Sequence, residues 1–167
     1  MLRRPCPECG LDTQSFAPGD LPEMIRVNAA AWQLALAWPD AERRPRPDKW
    51  SPLEYGCHVR DVLRLYDYRL GLMLAEDDPL FPNWDQDETA VSDRYGEQDP
   101  AEVARQLTAA ADAIAGLFAG VGGDQWSRTG RRSDGAAFTV ETFGRYFVHD
   151  PVHHLYDVTG VRHTATS

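Results

Sequence analysis

Three times along the chain a capping side chain stands three residues before a glutamate that can reach back to it: Asp20-Leu-Pro-Glu23, Ser51-Pro-Leu-Glu54 and Asp99-Pro-Ala-Glu102. In the second and third, proline takes the first helical position, where its missing N–H would have no partner anyway. Thr139 offers a fourth cap, with Glu141 in the turn that follows. Reading each start to the next breaker predicts helices over 21–38, 52–76, 100–118 and 140–158. Their stops are Pro45 and Pro47, Asp77-Asp78-Pro79, Gly120-Val-Gly-Gly123 and Gly160. Strand-like alternation is confined to 136–140, and no internal repeat occurs. Four long amphipathic helices in one short chain predict an all-α protein, a four-helix bundle.

With 167 residues, 43% of them apolar and 26% charged, the chain suits one globular domain with a sizeable core and excludes the disordered and fibrous classes. We expect an N-terminal extension over 1–19, the bundle over 20–160 and a tail over 161–167. A net charge of -9 opposes phosphate binding, so nucleic acid is not an expected partner. Behind Arg3-Arg4 there is no apolar run of signal-peptide length, and the longest apolar stretch, 29–38, is interrupted by Gln33 and too short to cross a bilayer. The expectation is a cytoplasmic protein with no membrane partner. Two loops stand out: an acidic, aromatic one with Phe81, Trp84, Asp85, Asp87, Glu88 and Tyr95, and an arginine-rich one over 128–134.

Four of the five histidines lie in two short segments. In the second helix His58 shares an apolar stripe with Val62, Leu65 and Leu72, which should face the bundle interior. In the fourth, His149 and His153 are four residues apart, one turn above the other and able to reach a common ion. His154 lies about 140° round from His149 and is the poorer partner. If the second and fourth helices are neighbours, His58, His149 and His153 converge on a divalent metal with a coordination position left open. Asp61, Asp150 and Asp157 each lie within a turn of these histidines and can accept a second ring N–H; spacing does not choose among them. Pro151, between the ligands, frees the carbonyl of Phe147 and is a candidate kink.

The segment Trp50-Ser-Pro-Leu-Glu-Tyr-Gly-Cys-His58-Val-Arg-Asp-Val62, together with Tyr146-Phe-Val-His149-Asp-Pro-Val-His153-His-Leu-Tyr-Asp157, resembles the histidine segments of the DinB-like superfamily. That superfamily includes the N-terminal domain of mycothiol-dependent maleylpyruvate isomerase and the bacillithiol S-transferases. The resemblance covers residues 20–159. It implies a four-helix bundle holding zinc or nickel on three histidines, which match His58, His149 and His153 by position. It also implies activation of a low-molecular-weight thiol for transfer to a small electrophile, or for isomerisation. A metal lowers a thiol's pKa, and cationic donors would hold anionic groups; Arg128, Arg131 and Arg132 are candidates, though a solvated connector is the plainer reading of that loop. Tyr55, Tyr146 and Trp84 are candidate pocket walls, with core packing the plainer reading.

Outside the resemblance, Pro5-Cys-Pro-Glu-Cys-Gly10 has the Pro- and Gly-bounded turn that presents two thiolates, Cys6 and Cys9, to one ion. No second such motif exists in the chain, so the remaining ligands must come from Cys57, from the histidines or from another chain. In one arrangement the knuckle folds over the bundle and joins two of the histidines in a closed, structural zinc site. A redox dithiol has no surrounding βαβ pattern to support it, and Cys57 beside His58 is expected to be buried and inert. Three readings therefore stand: a metal-dependent thiol transferase or related hydrolase; a non-catalytic metal-binding module with Cys6 and Cys9 among its ligands; and a metal-free bundle that forms a homodimer through an apolar face.

Overall fold

The computed structural model describes residues 3–164. Its long helices are α1 (Leu21–Leu36), α2 (Pro52–Ala75), α4 (Pro100–Ala119) and α5 (Val140–Thr159), with a short α3 (Gln86–Ser92) between α2 and α4. The four long helices start where the capping signals place them, but the caps work differently. Ser51 accepts from the Glu54 N–H and Glu54 accepts from the Ser51 N–H, both at 3.1 Å, a full capping box. Thr139 and Asp99 cap the N–H groups of Thr142 and Glu102. Asp20 makes no such cap on α1; its carboxylate accepts instead from the Ala17 N–H, closing a preceding turn. Gly160 ends α5 with φ of 71°, a left-handed conformation that a Cβ would oppose.

α1 and α2 each pack against both α4 and α5, so the helices run round the bundle in the order α1, α4, α2, α5. That order makes α2 and α5 neighbours. The core between them is aromatic: Tyr66 of α2 lies against Phe143 and Phe147 of α5, and Phe118 of α4 stacks on Phe147 from the other side. No described helix is long and apolar enough to cross a membrane.

The two loops contain structure that period alone does not reveal. β1 (Leu80–Phe81) pairs in parallel with β2 (Thr129–Arg132), and β2 pairs antiparallel with β3 (Ala137–Thr139). The acidic loop also holds α3, capped by the Asp85 carboxylate, and a 3-10 turn at Tyr95–Glu97. β3 falls within the alternation at 136–140, whereas β1 and β2, two and four residues long, draw on partners remote in the chain and carry no such pattern.

Glu54 carries a load beyond its cap. Both its oxygens accept from Arg44, Nε to Oε1 and Nη2 to Oε2, each at 2.7 Å, and only 7% of the residue is exposed. Burial raises the carboxyl's pKa, but the Arg44 guanidinium and the Ser51 N–H outweigh it and hold Glu54 below the usual carboxylate range. With the folded pKa depressed, the stabilisation is present above the unfolded pKa and is lost as pH falls through the folded one. Glu54→Gln is therefore expected to cost about 1–2 kcal/mol at neutral pH. In urea denaturation series the gap to wild type should close on acidification; a gap independent of pH would show that charge is not what Glu54 contributes.

Candidate metal centre

Helix α5 presents two adjacent stripes of metal-binding side chains. His149 and His153 form one and Asp150 and His154 the other, each pair a turn apart and the two stripes offset by about 100°. The packing of the bundle gives each stripe a different neighbour, so the five residues singled out from the sequence divide between two clusters.

The first cluster brings Cys6, Cys9, His149 and His153 together, with one donor atom from each within 4.8 Å of the others. Cys6 Sγ lies 3.7 Å from His153 Nδ1. Burial pushes the Cys6 thiol up, but N–H donors of the knuckle backbone and the two imidazoles outweigh it and bring the thiol down to about 6. Burial, and then the neighbouring Cys6, push Cys9 the other way, up to about 11. Cys57 belongs to neither cluster: its Sγ faces the carbonyl of Tyr95 at 3.8 Å, and burial raises its thiol to about 12.

The second cluster joins His58 of α2 to Asp150 and His154. His58 is 1% exposed, and its Nε2 is 3.2 Å from Asp150 Oδ1. His154 Nε2 is 3.7 Å from the same oxygen, while its Nδ1 meets Asp157 Oδ2 at 2.9 Å. Burial pushes Asp150 up, but His58, then His154, more than offset this and leave it below the usual range. Burial lowers His154 despite the pull of Asp150, which favours the neutral imidazole that coordinates metals. Of the three candidate orienting carboxylates, Asp150 and Asp157 touch the histidines, whereas Asp61 holds Arg60 and Tyr95. His58 is thus grouped with Asp150 and with His154, which spacing ranked lower, while His149 and His153 are grouped with the cysteines; His149 nonetheless lines the same cavity as His58. The signal that marks them in the sequence is the second pair at i and i+4, one residue out of step with the first.

His58 and Asp150 of the second cluster line a cavity of about 670 Å³, with His149, Arg69, Arg132, Trp84 and Tyr146 also in its wall. Trp84 stacks on the His58 ring, 5.6 Å between centroids and 9° between planes. Tyr55 lies outside the cavity wall, behind the cluster against Trp50 and His154. Of the loop arginines, Arg128 donates to the carbonyls of Met73 and Glu76 at the end of α2, and Arg131 pairs with Asp78. Arg132 alone of the three lines the cavity, bridged to Asp134. Across from it Arg69, which the sequence reading passed over, is 4% exposed and donates to the Pro82 carbonyl at 2.6 Å beneath the face of Phe81. No carboxylate lies within ion-pairing distance of Arg69 among the described residues.

The pattern of the DinB superfamily matches residues 24–158, which include both histidine segments and the whole of α2, α4 and α5 up to its last residue. The chain belongs to the DinB superfamily. Comparison with curated proteins gives no match. Among solved structures it is similar to YfiT from Bacillus subtilis, described as a probable metal-dependent hydrolase with an unusual four-helix bundle topology. The likeness has a TM-score of 0.76 at 18% identity and covers 94% of this chain and 91% of that one, which shows a shared fold. The DinB match begins at residue 24, so it leaves the Cys6/Cys9 knuckle outside.

Proposed function

We propose that this DinB-superfamily protein is a metal-dependent enzyme that transfers a low-molecular-weight thiol to a small electrophile, or carries out a related hydrolysis, at the cavity lined by His58 and Asp150, with His154 beside them. The observation that carries the reading is a cluster of two imidazoles and a carboxylate from two helices, of which His58 and Asp150 line a cavity of about 670 Å³. Their donor set fits a divalent ion such as zinc or nickel, which His58, Asp150 and His154 would hold. His58 turns its Nε2 to the cluster, 3.2 Å from Asp150 Oδ1. The bound ion supplies Lewis acidity, lowering the pKa of a thiol or water brought to it.

The chain's own residues supply the rest. Asp157 accepts from His154 Nδ1, fixing the tautomer that leaves Nε2 free to coordinate. Trp84 covers the His58 ring and excludes water from that side. Arg69, without a carboxylate partner among the described residues, and Arg132 give the cavity wall two cations for an anionic group of the thiol or substrate. The description of YfiT as a probable metal-dependent hydrolase supports the hydrolytic branch.

The test is turnover by zinc- or nickel-loaded protein, with a cysteine-containing thiol and a chromogenic aryl halide in one assay and a chromogenic ester in another. We expect activity in one of them, reduced at least 100-fold by His58→Ala. Activity unchanged by His58→Ala would overturn the site. Tight metal binding with no turnover in either assay would favour a binding module.

A further inference from the structure

We propose that Cys6, Cys9, His149 and His153 bind a second metal ion, zinc, in a closed tetrahedral site that staples the N-terminal knuckle to α5. The site stands on its own geometry and does not rest on the function proposed above.

The knuckle is built for the purpose before any ion arrives. Gly10 donates its N–H to the Cys6 carbonyl and Cys6 donates to Leu11, both at 2.9 Å, which folds the segment into a tight turn carrying both thiols on one side. Gly10 has φ of 82°, and a Cβ there would stand 3.0 Å from the carbonyl oxygen of His163. The last described residues strap the turn from outside: His163 donates to the Cys9 carbonyl and Arg162 to that of Pro7, each at 2.7 Å.

The donors then meet the requirements of a zinc site one by one. Bonds of about 2.3 Å to sulfur and 2.0–2.1 Å to nitrogen put tetrahedral ligand atoms roughly 3.3–3.8 Å apart. Cys6 Sγ and His153 Nδ1 are already 3.7 Å apart, and all four donors lie within 4.8 Å of one another. The far nitrogen of His153, Nε2, is held by Glu8 Oε2 at 3.1 Å, the carboxylate that orients a ligating imidazole and raises its basicity. His149 Nε2 is buried with no hydrogen-bond partner among the described residues. Cys6 and Cys9 are 6% and 0% exposed, so two thiols are packed in the core with nothing else to recommend the position over an alanine.

Four protein ligands leave no position for a substrate, which makes this site structural where the cluster around His58 is open. Two thiolates narrow the choice towards zinc, while imidazole and carboxylate alone do not. The ion would tie residues 6 and 9 to residues 149 and 153 across nearly the whole chain. It would also set the rotation of α5, and hence the direction in which Asp150 and His154 face.

Metal content and the spectrum of the cobalt-substituted full chain test the proposal. We expect two equivalents of metal in wild-type protein loaded with zinc, and a thiolate-to-cobalt charge-transfer band when cobalt replaces it. Cys6→Ser with Cys9→Ser should lose one equivalent and the band; His58→Ala with Asp150→Asn should lose the other equivalent and keep the band. Chelation should lower the Tm of the wild type and leave that of the cysteine variant unmoved. Metal content unchanged by the cysteine substitutions, no charge-transfer band in wild type, or a disulfide formed in place of metal binding would each overturn the site. If the cysteine variant does not fold, the wild-type cobalt spectrum decides alone.

Discussion

Asp61→Ala is expected to lower stability by about 3–5 kcal/mol, the cost of leaving a buried charge without its partner. Arg60 is 4% exposed, and its Nε donates to Asp61 Oδ1 at 3.0 Å. The same guanidinium donates through Nη1 to Gln98 and Gln106, at 2.7 and 2.8 Å, so it is pinned from three sides and cannot swing out to water. The hydroxyl of Tyr95, a residue 1% exposed, donates to the other Asp61 oxygen. One truncation therefore strands a cation and a phenol together. For a chain of this size the loss corresponds to a fall in Tm of roughly 6–20 °C. Replacing the pair with apolar residues, as Arg60→Met with Asp61→Leu, should cost less than Asp61→Ala alone, since it removes the stranded charge. Urea denaturation of the three proteins makes the comparison, and a cost below about 1 kcal/mol for Asp61→Ala would show that Arg60 finds solvent.

Trp32→Ala should cost a similar amount, about 3–5 kcal/mol, through a different mechanism. Trp32 is fully buried on α1 and is among the largest such side chains in the protein. Its truncation leaves a cavity that the surrounding helices can only partly close. Its Nε1 also donates to the Pro151 carbonyl at 3.3 Å, beside Asn28 Nδ2 at 3.2 Å. Pro151 sits inside an α5 that runs unbroken from Val140 to Thr159, with Asp150 before it and His153 two residues on. Trp32→Phe, which keeps most of the volume and loses the donor, should cost about 1 kcal/mol. Equal losses for Phe and Ala would assign the whole effect to the hydrogen bond.

The bundle was legible because its information is local. Ser51, Asp99 and Thr139 satisfy N–H groups within three residues of themselves, and Gly160 relieves a clash of its own backbone, so each signal holds whatever packs around it. Asp20 shows the limit of that reasoning: the residue type was right for a cap, and a turn one step earlier took its carboxylate. β3 was legible as the alternation at 136–140, but β1 and its pairing with β2 were not, because such short segments owe their conformation to a partner remote in the chain. Leu80 pairs with Arg131 across fifty residues.

At the candidate site the same division appears. That histidines of α2 and α5 are candidate donors, and that a Pro/Gly-bounded cysteine pair is a candidate ligand turn, follow from residue types and spacing alone. Which histidine serves which cluster does not. His149/His153 and Asp150/His154 have the same helical spacing and differ only by about 100° of rotation about the α5 axis. Nothing within the helix ranks them. The rotation is chosen by what lies on each side: α2 with His58 against one stripe, and the cysteine knuckle, nearly 150 residues away in sequence, against the other. By itself the sequence determined the four long helices, their starts and most of the candidate donor residues, because caps, periodicity and ligand chemistry act over a turn or less. Only the tertiary structure decided the ring order, the cavity with Arg69 in its wall and the sorting of donors into two clusters, because those are contacts between segments that no local period relates.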